Sequence, residues 1–299
     1  MGLDSPSVRF LCGARASGVD FGSTLMVGRQ SFFPTLADLT DAFGTLGVAT
    51  EPVAFLRENP YGEKFFRLLG AKTVESVDAS DYEHPTHTHD LNRPIPPSLE
   101  GQYSCVYDGG TLEHIFDCPR AFQNCMRMVR PGGHFVQVNC CNNYAGHGFW
   151  QFSPELLFRI FTPINGFRVG CVLIHEMQPD GRWFAVTDPA IVRDRVTLVN
   201  SSPTYILTIA RRESISQIFD PPPQQSDYVA TWAGAGLSTN PSPPAPLPPP
   251  PLTIKRFIPN AAKRFIKRVI GRVDGPYYNP THFRKLSPSD VLHGRFGGS

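Results

Sequence analysis

Short apolar runs alternate with amphipathic segments from residue 24 to residue 210, and this alternation is the strongest constraint on what the chain can fold into. Segments 24–27, 73–77, 103–107, 134–138, 170–174 and 205–210 read as strands. Segments 36–43, 61–69, 119–129 and 153–161 read as helices; Ser153 caps the last, with Pro154 in its first turn and Glu155 at its positive end. The strand runs carry little polar alternation, so each is expected to be covered on both faces. The expectation is an α/β fold with a mostly parallel sheet and helices on both sides. In such sheets ligands gather beyond the C-terminal strand ends, where Gly28, Asp78 and Asp108-Gly109 stand.

The alternation stops near residue 219. Eight prolines fall within 241–251, after three at 221–223, and proline neither donates a ladder hydrogen bond nor leaves φ free. The stretch is expected to be extended polyproline, reading as a semi-rigid spacer or as a ligand for a proline-binding domain. Beyond it the net charge of +2 loses its meaning. Residues 252–273 hold seven bases and no acid, whereas 1–219 carry a net −4. From Ala261 onward Phe265, Ile266, Val269, Ile270 and Val273 share one half of a helical wheel, and Lys263, Arg264, Lys267 and Arg268 share the other. The expected domains are therefore a body over 1–219, a proline-rich linker over 220–252, and a basic amphipathic helix and tail over 253–299. That helix suits an anionic membrane surface, or docking of its apolar face on the body or on a second copy in a homo-oligomer. With few interleaved aromatics and no basic groove in the body, nucleic acid is not expected.

Other classes are excluded more simply. No run approaches the roughly 18–20 apolar residues of a membrane span, and the first residues lack a secretory pattern. Seven cysteines form no CxxC pair and several lie in strand runs, so free thiols in a reducing, cytoplasmic setting are expected. No phosphate-binding GxxxxGK[ST] loop occurs. His84, His87 and His89 are dense in ligand atoms but have no second cluster to complete a site, so no metal is expected there.

The order of polar residues points to a nucleoside crevice. A glycine after the first strand admits close backbone approach, and a carboxylate after the second can accept from two ribose hydroxyls. A third acidic position, Asp90, precedes Leu91, and a segment 102–139 contains Leu112-Glu113-His114 and, after a helix, Arg127-Met-Val-Arg-Pro-Gly-Gly133. On these motifs the chain resembles the class I S-adenosylmethionine-dependent methyltransferases over about residues 20–215. The resemblance implies a Rossmann-like methyltransferase sheet and S-adenosyl-L-methionine as cofactor. It implies that Asp78 and Ser80 hold the ribose side, Asp90 and Leu91 the adenine edge, and Asp108 and Gly109 the methionine moiety. The family's glycine-rich loop after strand one is missing; only Gly28 matches, and Arg29 follows it. Arg29 either pairs with the cofactor carboxylate or marks a degenerate pocket.

Methyl transfer is an in-line displacement, so alignment dominates. A hydroxyl acceptor also needs a base, which suits histidine. His114 with its neighbour Glu113, and His147 between Gly146 and Gly148, are the candidates. The sequence thus reads as an O-methyltransferase acting on a small or glycan-type acceptor, peripheral to a membrane. The alternative is a non-catalytic methyltransferase-like scaffold.

Overall fold

The computed structural model describes residues 2–178, 180–234 and 277–297. The N-terminal part contains β1 (Gly2–Leu3), α1 (Ser5–Ala16), β2 (Ser23–Val27), β3 (Ser31–Phe32), α2 (Leu36–Leu46), α3 (Pro52–Glu58), α4 (Glu63–Leu68), β4 (Thr73–Asp78) and β5 (His87–Thr88). The middle contains β6 (Tyr103–Asp108), α5 (Cys118–Met128), β7 (Val129–Asn142), α6 (Pro154–Ile160), β8 (Phe167–Glu176), β9 (Trp183–Val186), α7 (Pro189–Val192), β10 (Leu198–Val199) and β11 (Thr204–Arg212). Helix α8 (Ser226–Gly234) follows, and β12 (Tyr277–Tyr278), β13 (Phe283–Leu286) and α9 (Pro288–Leu292) close the described chain.

Nine strands form one sheet in the order β13-β9-β8-β11-β7-β6-β2-β4-β5. The α/β expectation holds, but a mostly parallel sheet does not. From β5 to β7 the neighbours run parallel. Every ladder from β7 outward to β13 is antiparallel, and these include the longest. The reason is that β8 returns parallel to β7 after α6, as a crossover allows, but β11 inserts antiparallel between the two, while β9 turns straight back on β8.

Successive residues of the inner strands face opposite sides. Met26, Cys105, Tyr107 and Leu173 join a core with α1, α2 and α4. Leu25, Val27, Val106, Val172 and Ile174 join the other with α5 and α6. Two apolar faces explain the unbroken apolar runs. The seven cysteines are free, and six are buried. No described helix is long and apolar enough to cross a membrane.

The division at residue 253 needs correction. Residues 283–286 pair with β9 as an edge strand of the main sheet. Helix α9 packs on α1, where the carbonyl of Val291 approaches so closely that a Cβ on Gly13 would stand 1.9 Å from it. The C-terminal residues thus complete the body, and α8 lies within the span read as linker. The basic helix expected over 255–273 and the proline block lie outside the described residues.

Glu176 anchors this return. It accepts from Arg182 Nε and Nη2 (2.7 and 2.9 Å), from Tyr278 Oη (2.7 Å) and from Asn200 Nδ2 (3.3 Å). Burial opposes its ionisation, but these donors and the Arg182 charge prevail and hold its carboxyl down at about 2. A folded pKa below the unfolded value of about 4.3 contributes stability above that value, lost as pH falls toward the folded pKa. Glu176→Gln should therefore cost about 2 kcal/mol at neutral pH. Its thermal-unfolding deficit against wild type should shrink from about pH 5 downward; a deficit constant with pH would contradict this assignment.

Candidate active site

The parallel register builds the site. Val27 stands opposite both Val77 and Asp108, so β2, β4 and β6 end side by side. Gly28, Asp78 and Asp108-Gly109 consequently meet at the point where the strand order reverses on either side of β2 and β6. Asp78 is half-buried, and its Oδ1 accepts from the Ala79 N–H at 2.7 Å. Ser80 is exposed, with Oγ 3.5 Å from the Tyr82 nitrogen. Asp90 is exposed, and its Oδ1 accepts from both the backbone and side-chain nitrogens of Asn92, at 2.9 and 2.7 Å. That turn, chiefly its backbone N–H, lowers the Asp90 carboxyl. Leu91 turns its side chain into the α5-side core.

The glycines are closely attended by the protein's own side chains. Gly28 has φ +70°, and a Cβ there would stand 2.6 Å from Thr111 Oγ1, which donates to the Val27 carbonyl at 2.7 Å. A Cβ on Gly109 would stand 2.3 Å from Gln30 Oε1. Gln30 is only 2% exposed; its Nε2 donates to the Val27 carbonyl at 2.6 Å, while its Oε1 accepts no hydrogen bond. Arg29 points elsewhere. Its Nε meets Glu63 Oε1 at 2.7 Å, its Nη1 donates to the Glu83 carbonyl at 2.9 Å, and its guanidinium lies 4.0 Å from the Tyr61 ring centre.

Beside this crevice two buried carboxyls share one amide. Asn139 Nδ2, on β7, donates to Asp108 Oδ2 at 2.9 Å and to Glu113 Oε2 at 2.8 Å. The Thr111 N–H adds a bond to Asp108 Oδ1 at 2.9 Å. Burial pushes both carboxyls up, and the Asp108 charge raises Glu113 further. The turn Leu112–His114 is a short 3-10 helix. The Glu113 carbonyl accepts from the Phe149 and Trp150 N–H groups at 2.9 and 3.2 Å, and the Trp150 indole donates to the Ile115 carbonyl at 3.0 Å. Gly148 permits this contact, since a Cβ would stand 2.8 Å from the Glu113 carbonyl oxygen. The loop after β7 is thereby fastened over the turn after β6. The rings of His147 and His114 come 4.9 Å apart, and His147 Nε2 lies 3.7 Å from Glu113 Oε1. Burial, then the adjacent His147, lowers His114, which favours its neutral form. Phe116 and Phe149, 73% and 67% exposed, meet edge to face at 5.9 Å beside the pair.

The three candidate acid–base residues are therefore one cluster, and Gly28, Asp78, Asp108 and Gly109 stand together at the strand ends. Sequence reasoning missed Gln30, Thr111 and Asn139. Gln30 had a usable signal: it stands two residues after Gly28, where the glycine-rich loop should continue. Asn139 directly follows the apolar run 134–138 and carries no further local signal.

No family model matches the chain, and no curated protein matches it. Solved structures do match, and several are S-adenosylmethionine-dependent methyltransferases. Geranyl diphosphate methyltransferase in complex with S-adenosylmethionine is 17% identical, with a TM-score of 0.35, over 70% of this chain and 85% of that one. The [4+2]-cyclase SpnF is 12% identical, with a TM-score of 0.35, over 71% and 82%. The branched-chain polyamine synthase from Thermus thermophilus, in complex with N4-aminopropylspermidine and 5'-methylthioadenosine, is 13% identical, with a TM-score of 0.38, over 72% and 57%. At these identities and TM-scores the likeness does not extend to activity, substrate or cofactor.

Replacing Asn139 with Leu, close to it in shape, removes both bonds to buried carboxyls. We expect a loss of about 3 kcal/mol, read as a lower urea midpoint at unchanged slope. A loss below about 1 kcal/mol would show that the amide is dispensable.

Proposed function

We propose that the protein transfers a methyl group from S-adenosylmethionine to an oxygen of a small or glycan-type acceptor. The observation that carries this reading is the register that sets Gly28, Asp78 and Asp108 side by side at the strand-order reversal, with Glu113, His114 and His147 next to them. Asp78, half-buried at the end of β4, suits a carboxylate that accepts from ribose hydroxyls. Gln30 Oε1, left without a donor against the open face of Gly109, marks the place the methionine end would take, and the Gln30 side chain must turn aside to admit it. When bound, S-adenosylmethionine supplies an electrophilic methyl on a sulfonium. His114, whose lowered pKa favours the neutral form, takes the proton of the acceptor hydroxyl, with Glu113 and His147 facing each other beside it. The exposed faces of Phe116 and Phe149 offer a platform for the apolar side of a sugar ring. A cleft of about 330 Å³ lined by Asn142, Gln151, Ser153, Arg195 and Asp227, beyond the end of β7, is rich in partners for a polyhydroxylated chain.

A non-catalytic scaffold is the second reading. It is favoured by one observation: Gln30 and Thr111 stand against the open faces of Gly109 and Gly28. Calorimetry separates the two. Under the enzyme reading S-adenosylmethionine and S-adenosylhomocysteine bind, Asp78→Ala weakens both by roughly tenfold, near 1 kcal/mol or more per lost hydrogen bond, and Gln30→Gly tightens both. No binding to wild type or to Gln30→Gly at millimolar cofactor would establish the scaffold instead.

The same proposal sets the enzyme in the cytoplasm at an anionic membrane face, which the cationic segment 255–273 would contact. Since 277–297 belong to the body, the clean variant deletes 255–273 alone. Flotation with anionic liposomes should fall on this deletion; equal flotation of both proteins would remove the membrane role.

A further inference from the structure

The cluster beside the crevice has the composition of a metal centre. Glu113, His114 and His147 each bring a ligand atom, all within 4.8 Å of one another. The separation of Glu113 Oε1 from His147 Nε2, 3.7 Å, is too long for a hydrogen bond. It is close to the span of about 3.4 Å between two ligands on one tetrahedral ion with bonds near 2.1 Å. Glu113 is fully buried, and its Oε1 accepts no hydrogen bond, although its Oε2 is fixed by Asn139. A buried carboxylate oxygen left without a donor is costly, and this one is aimed at two imidazoles. Asn139 supplies the outer hydrogen bond that orients a metal-bound carboxylate.

The other histidine-rich stretch does not compete. His87 Nε2 meets Glu75 Oε2 at 2.8 Å, and the same oxygen accepts from Tyr103 Oη at 2.7 Å. His89 Nε2 instead faces the Arg93 carbonyl, at 3.4 Å.

We propose that Glu113, His114 and His147 bind one divalent first-row transition cation, with Zn²⁺ as the reference ion. Two histidines and one carboxylate leave coordination positions open, as in a working rather than a purely structural site. An oxygen ligand taken up there loses its proton more readily. With an ion bound His114 would serve as a ligand and not as the free base, and the acceptor oxygen would lose its proton by way of the ion instead; the ion's binding itself is read without the cofactor.

The test uses the full-length protein, stripped with a chelator and titrated calorimetrically with ZnCl₂. One ion per chain is expected. His147→Ala and Glu113→Gln should each weaken binding by roughly tenfold or more, with circular dichroism unchanged. His89→Ala should bind as wild type does. Substitution with Co²⁺ should give visible absorption without the near-ultraviolet charge-transfer bands of thiolate ligands. Absence of binding at millimolar Zn²⁺, equal affinity in His147→Ala and wild type, or thiolate bands would each overturn the site. None of these readouts involves S-adenosylmethionine, so failure here leaves the methyl-transfer reading standing, and the reverse also holds.

Discussion

Two carboxyl groups buried at the end of one strand and the start of the next turn ought to drive the chain apart. The amide of Asn139 prevents this by giving one proton to each. Because Asn139 belongs to β7, Asp108 to β6 and Glu113 to the turn between them, a single side chain ties three consecutive pieces of backbone at the C-terminal edge of the sheet. The loop after β7 then hangs its N–H groups on the Glu113 carbonyl, and the histidines meet. In an interior of low dielectric an amide in this position is costly to do without. Burial raises both carboxyls, and so favours their neutral forms.

What the sequence made legible followed from period and from punctuation. The six strand runs and four main helices were visible because both faces of the inner strands are apolar and the helices begin at recognisable caps, as at Ser153. Gly28, Asp78 and Asp108 were placed correctly because strand ends on a parallel sheet must line up. Several elements escaped, and three of the omissions show why. Helix α1 has a weakly patterned sequence and begins almost at the first residue, where a short polar opening resembles a frayed terminus. Strand β13, Phe-Arg-Lys-Leu, turns only its first and last residues into the core, too few to reveal a period of two. The antiparallel half of the sheet was unreadable because it follows from β11 inserting between β7 and β8, and a strand's own residues do not record where in a sheet it inserts.

The site shows the same limit from another side. Sequence named His114, with its neighbour Glu113, and His147 as rivals for one role, whereas the three form one constellation. Nothing local joins residue 147 to residue 113; the junction is a backbone carbonyl accepting two N–H groups, and any residue has a carbonyl. Gly28 and Gly109 invited a ligand, yet close approach was already in use: Thr111 and Gln30 are the groups that need the missing Cβ atoms. A glycine records that something comes near without recording what.

The pairing of β13 with β9 has a consequence beyond the sheet. Without residues 283–286 the free edge of β9 would present unpaired N–H and C=O groups, a template on which a strand of another molecule could pair. Those four residues, at the far end of the chain from β1, thus close an edge that would otherwise invite self-association.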